Sequence, residues 1–169
     1  DYYYYLDSTP THSYLRFLYK YPLDDFPYDD LRHESRRRGR LDPEYELLDT
    51  GALRNYVDVD IEYAKGGVDD LLVRVTLTNR GPAPARLHAL PSLWFRNTWS
   101  WHDEPADASG APQPARPRLQ VVPGGPGFET LAVTHPTLGR RWLYVAQDTA
   151  ASTWLLTENE SNGERLGWW

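Results

Sequence analysis

Residues 56–79 read YVDVDIEYAKGGVDDLLVRVTLTN, and the period of that stretch decides the fold class. Val57, Val59, Ile61 and Tyr63 alternate with Asp58, Asp60 and Glu62, so an extended backbone puts apolar side chains on one face and carboxylates on the other. Leu71, Val73, Val75 and Leu77 repeat the pattern against Arg74, Thr76 and Thr78. Lys65-Gly66-Gly67-Val68-Asp69-Asp70 between them supplies turn chemistry, so the spacing predicts an antiparallel hairpin with strands over 56–64 and 71–78. Asn79-Arg80-Gly81-Pro82 ends it, because Asn and Gly tolerate positive φ and Pro cannot continue a central ladder. Asp58, Asp60 and Glu62 read as a solvated polar face rather than as catalytic groups.

Outward from the hairpin, the next strand is expected from about Ala85 through Leu93–Trp101, LWFRNTWSW. Residues 104–117 (EPADASGAPQPARP) hold four prolines and little that could form a core, which predicts a long exposed loop. Further short strands are expected at Leu119–Val122, Phe128–Thr134, Arg141–Gln147 and Thr153–Thr157. In the N-terminal third, Tyr14–Tyr19 reads as a strand, and Tyr28–Arg38 as one short helix between Pro27 and Gly39. Short strands at this spacing with a single helix predict an all-β chain, an antiparallel β-sandwich forming one domain over residues 1–169.

Eighteen Lys and Arg against 24 Asp and Glu leave a net charge of 18 − 24 = −6, which offers no footprint for nucleic acid or for an anionic membrane surface. The basic run Arg36-Arg37-Arg38-Gly39-Arg40 is flanked by Asp29, Asp30, Glu34, Asp42 and Glu44 and reads as a salt-bridged surface. No apolar run reaches membrane-spanning length. The chain has no cysteine, which removes disulfides and thiolate chemistry and suits the cytoplasm. It also has no methionine and begins Asp1-Tyr2-Tyr3, so a piece of a longer protein is expected.

Catalytic motifs do not emerge. The five histidines, His12, His33, His88, His102 and His135, include no i, i+4 pair of the kind a helical zinc site uses, and no metal or other cofactor is expected. There is no nucleophile elbow and no dinucleotide fingerprint, and Gly124-Gly125-Pro126-Gly127 reads as a turn rather than a phosphate loop. Carboxylates are plentiful, but loop spacing fixes no distance between any two of them, so no catalytic acid or base is assigned.

The aromatics remain: 12 Tyr and 7 Trp, concentrated in Tyr2-Tyr3-Tyr4-Tyr5 with Tyr14 and in LWFRNTWSW. Rings beside Arg, Asn and His donors can hold a sugar, fill a domain interface or pack an ordinary core. On alternation, Leu93, Phe95, Asn97, Trp99 and Trp101 share one face of the expected strand, and Trp94, Arg96, Thr98, Ser100 and His102 the other. Aromatics on both faces favour a strand end covered on two sides over one flat platform.

The ordered motifs YYYLDSTPTHSYLRFLYKYP (3–22), FPYDDL, DPEYELLDTG, VTLTNRG and LPSLWFRNTWSW carry a resemblance. Together they look like the N-terminal region of large bacterial proteins related to glycoside hydrolase family 63. That family includes processing α-glucosidases and counts mannosylglycerate and glucosylglycerate hydrolases among its relatives. The resemblance implies an N-terminal sandwich of the supersandwich type, packed against an (α/α)6 barrel further along the parent chain. Members hydrolyse glycosidic bonds with inversion, using carboxylates of that barrel, so none of the catalytic set would lie in these residues. The implied partners are this barrel and an oligosaccharide or glycosylglycerate substrate. On this reading Arg96, Asn97, Trp99, Trp101, His102, Tyr4 and Asp7 are candidates for a substrate rim or domain interface. The competing expectations are an autonomous carbohydrate-binding module with Trp94, Trp99 and Trp101 as a stacking platform, and a structural domain for protein assembly.

Overall fold

A computed structural model of the chain describes residues 2–99, 115–147, 152–160 and 163–167. The chain is all-β apart from short helical pieces and divides into two compact units, Asp1–Ala89 and Leu90–Trp169.

In the first unit, β1 (Tyr2–Ser8), β2 (Tyr14–Pro22), β3 (Tyr56–Lys65) and β4 (Leu71–Asn79) form an antiparallel sheet in the order β1-β2-β3-β4. The alternation of residues 56–79 becomes the β3–β4 hairpin, with Ile61 opposite Val75 and Val59 opposite Leu77. Gly66 N–H donates to the Asp70 carbonyl at 3.0 Å and closes the turn. The β1–β2 turn closes on Thr9, whose hydroxyl accepts from the Ser13 and Tyr14 amides at 2.9 and 3.1 Å, while His12 takes a left-handed φ of 52°. Between β2 and β3 runs the helix α1 (Tyr28–Arg37), with Pro27 at its N-cap, Asp29 and Asp30 in the first turn, and Arg36 and Arg37 in the last. That charge order complements the helix dipole. Two 3-10 turns follow, Leu47–Thr50 and Ala52–Arg54, joined at Gly51, whose φ of 73° is left-handed. Leu47 is buried there.

In the second unit, β5 (Arg118–Val122), β6 (Phe128–His135) and β7 (Gly139–Ala146) form an antiparallel sheet in the order β5-β6-β7, and a short helix α2 covers Gly163–Leu166. β6 is the core element. Leu131 and Val133 are 2% exposed on one of its faces and Thr130 is buried on the other.

Three expectations change. The strand from Ala85 through LWFRNTWSW does not form: residues 84–98 have no regular structure and Trp99 lies in a 3-10 turn. Pro82, Pro84 and Pro91 remove ladder donors along that stretch, so an apolar aromatic run cannot pair. The strand at Thr153–Thr157 is likewise absent, since residues 152–158 have no regular structure and Asn159 turns the chain with a left-handed φ of 55°. Conversely, Tyr2–Ser8 is a strand, where the sequence reading saw only an aromatic cluster. Aromatic β-propensity, without polar alternation, suits an edge strand of this kind. Residues 104–114 of the expected loop lie outside the described residues.

Candidate functional site

Strand register sorts the first sheet into two chemically distinct faces. On one, Lys20 pairs opposite Asp58, Arg16 opposite Glu62, and Arg74 opposite Glu62 from the other side. The side chains build an ion-pair ladder across three strands. Asp58 accepts from Lys20 Nζ at 2.9 Å and from Arg80 Nε at 2.7 Å. Asp60 binds Arg16, and Glu62 accepts from Arg74 Nε at 2.6 Å and from the Tyr14 hydroxyl at 2.8 Å. Asp58 is only 8% exposed, so the solvated reading of this face fails at its most enclosed rung. Burial alone would push the Asp58 carboxyl up, but hydrogen bonds from Arg80 and Lys20 outweigh it and hold the carboxyl below its ordinary range. The bonds from Arg74 and Tyr14 hold Glu62 down in the same way. A glycosidase acid needs the opposite, a carboxyl held up so that it keeps its proton near neutrality. Asp58 and Glu62 are therefore held as anions and do not fit the acid role, and each is committed to cationic partners across the sheet.

The other face is apolar and aromatic. Tyr3 stacks on Tyr19 with ring centroids 4.8 Å apart and planes at 21°, Phe17 on Tyr63 at 6.1 Å and 17°, and Tyr5 lies 6.5 Å from Phe17. The register continues this surface through Val59 and Ile61 into Leu71, Val73, Val75 and Leu77 of β4. Only the Val57 end is buried; Tyr5 is 92% exposed, Val73 51% and Val75 40%. Because Tyr3 and Tyr19 stack on each other, each covers one ring face of the other. Rings committed to one another in this way offer less free face for stacking on a pyranose.

The predicted site residues fall in both units. Tyr4 lies in β1 on the charged face, opposite Leu18, with its ring 6.4 Å from that of Tyr2. Asp7 follows a register shift between Tyr5 and Asp7 and lies exposed opposite Arg16. In the second unit, Asn97 and Trp99 converge on a residue the sequence reading missed. Glu160 accepts from Asn97 Nδ2 at 2.9 Å and from Trp99 Nε1 at 2.6 Å, and Arg116 Nη1 lies 3.4 Å from it. The Trp99 and Asn97 bonds hold its carboxyl below the ordinary range. Asn97 also donates to the Asn159 carbonyl, and Asn159 donates back to that of Phe95, at 3.0 and 2.8 Å. Phe95 in turn lies 4.8 Å from the ring of His135. Arg96 sits in the same irregular segment, while Trp101 and His102 lie outside the described residues. No local signal links Trp99 to Glu160, since 61 residues separate them. Among the described residues, no group of His, Asp and Glu converges so as to hold a metal ion, and no helix is long and apolar enough to cross a membrane.

No protein-family profile matches the chain. No solved structure matches it. The chain is similar to the uncharacterized protein YMR196W of Saccharomyces cerevisiae, 40% identical over an alignment of 111 residues that covers 59% of this chain. The chain thus spans about a tenth of the length of the curated relative it matches.

Proposed function

We propose that this chain is a non-catalytic β-domain of a larger glycoside hydrolase related to family 63, a sandwich packed against an (α/α)6 barrel that hydrolyses α-glycosidic bonds with inversion. The observation that carries the docking role is the apolar face of the first sheet, where Tyr5, Val73, Val75 and their neighbours are left open to solvent. A patch of that kind is expected to meet another protein surface. The length of the yeast relative supports a setting in a longer polypeptide. The glycosidase assignment rests on the sequence motifs, and the absence of cysteine supports a cytoplasmic setting.

The test has two arms. The chain by itself is expected to leave aryl α-glucosides intact; turnover comparable with that of a polypeptide carrying the barrel would sink the proposal. In the longer polypeptide, Val75→Asp with Leu77→Asp should lower both thermal stability and glycosidase activity, whereas unchanged values would remove the docking role. Calorimetric titration with maltose separates the binding-module reading, which requires binding that is lost on Trp99→Ala.

A further inference from the structure

Helix α1 carries a feature that neither docking nor the ion-pair ladder uses. Its basic run does not behave as one salt-bridged surface. Arg37 and Arg38 both turn to Glu34, at 2.6 and 3.3 Å, and Arg38 also donates to the Pro43 carbonyl at 2.7 Å. Arg36 has no carboxylate partner among the described residues, and Arg32 has only Asp29 at 3.9 Å. Arg32 and Arg36 are four residues apart and share one helix face, where they edge an open cleft of about 430 Å³ with Tyr28, Leu31, Ser35 and Tyr45. Tyr45 is held by two neighbours. Its hydroxyl donates to Asp30 at 3.0 Å, and the Arg38 guanidinium lies 5.0 Å from its ring centroid. Tyr28 is braced by Phe26, with centroids 4.5 Å apart.

We infer that this cleft binds a phosphomonoester on a sugar-sized body, with Arg32 and Arg36 taking the phosphate and Tyr28 and Tyr45 flanking the ring. Two guanidiniums left under-neutralised on one face fit a tetrahedral anion, whose several oxygens can accept from both forks at once. Ser35 adds a hydroxyl to the same lining. Tyr28 and Tyr45 add aromatic surface to the same cleft, whose volume lies in the range of small-ligand sites.

Titration of the isotopically labelled chain with glucose 6-phosphate, inorganic phosphate and glucose, followed by NMR, tests this directly. Saturable shifts at Arg36, Ser35 and Tyr45 are expected with glucose 6-phosphate, with weaker binding of inorganic phosphate and none of glucose. Arg36→Ala and Arg32→Ala should each weaken binding by about tenfold or more, and Arg36→Lys by less, while Arg37→Ala leaves it unchanged. Absence of saturation, or equal loss in Arg37→Ala, would overturn the site. Equal affinity for inorganic phosphate would overturn the role of the tyrosines and with it the sugar-phosphate assignment. All four substitutions lie on exposed or half-buried helix positions, and circular dichroism checks that α1 persists.

Discussion

The two sheets of this chain use the same strand chemistry to different ends. In the second unit, β6 is enclosed: Leu131 and Val133 lie buried on one face and Thr130 on the other. In the sheet of the first unit, burial is confined to one end of β3, at Val57 and Asp58, while the apolar face of β4 stays open. The second sheet therefore draws on apolar burial. The first is held by its ladder of cross-strand charges and by aromatic pairs that stack on one another. The difference teaches that regular pairing does not imply a finished core; an amphipathic sheet can be complete in hydrogen bonds and incomplete in burial.

The sharpest way to break that comparison is Val133→Asp. A charge in the most enclosed position of β6 should cost about 3 kcal/mol or more and collapse amide protection across β5–β7 in hydrogen exchange. Retained protection would mean that the core lies elsewhere. A smaller effect is expected from Asp58→Ala, which strands Lys20 and Arg80 beside an enclosed position and should cost about 2 kcal/mol by urea denaturation at neutral pH. The same contribution has a defined pH dependence. The Asp58 carboxyl is held lower in the folded chain than in the unfolded one, so the unfolded state binds the proton more readily. The stabilisation is then fully present above the ordinary carboxylate range, near pH 4, and fades as pH falls through the lower folded value. Asp58→Ala and the native chain should therefore converge in stability under acid. The smallest effect belongs to Val75→Ser on the open face, within about 0.5 kcal/mol in the chain alone. A loss of about 2 kcal/mol there would show that the face is already covered.

Much of the fold was legible because its signal is local. The alternation of residues 56–79 specified a hairpin whose observed strands differ from the expected bounds by a single residue each. Pro27 and Gly39 marked the bounds of α1 in the same way. The errors arose where hydrophobicity was read without donors. LWFRNTWSW has the side chains of a buried strand, but Pro82, Pro84 and Pro91 precede it and deny it a ladder. Tyr2–Ser8 lacks alternation because it is an exposed edge, and so it went unread as a strand. Of the candidate site residues, Asn97 and Trp99 do meet at one group, yet that group, Glu160, could not be found from spacing.

By itself the sequence determined the all-β class, the central hairpin, the single well-formed helix and the acidic balance, since all of these follow from residue type and short-range periodicity. Tertiary structure decided which carboxylates are anions locked by cations and which aromatics stack on each other. Those outcomes depend on pairs far apart in the chain, such as Lys20 with Asp58 and Trp99 with Glu160, whose proximity is set by strand register and backbone turns rather than by any local pattern.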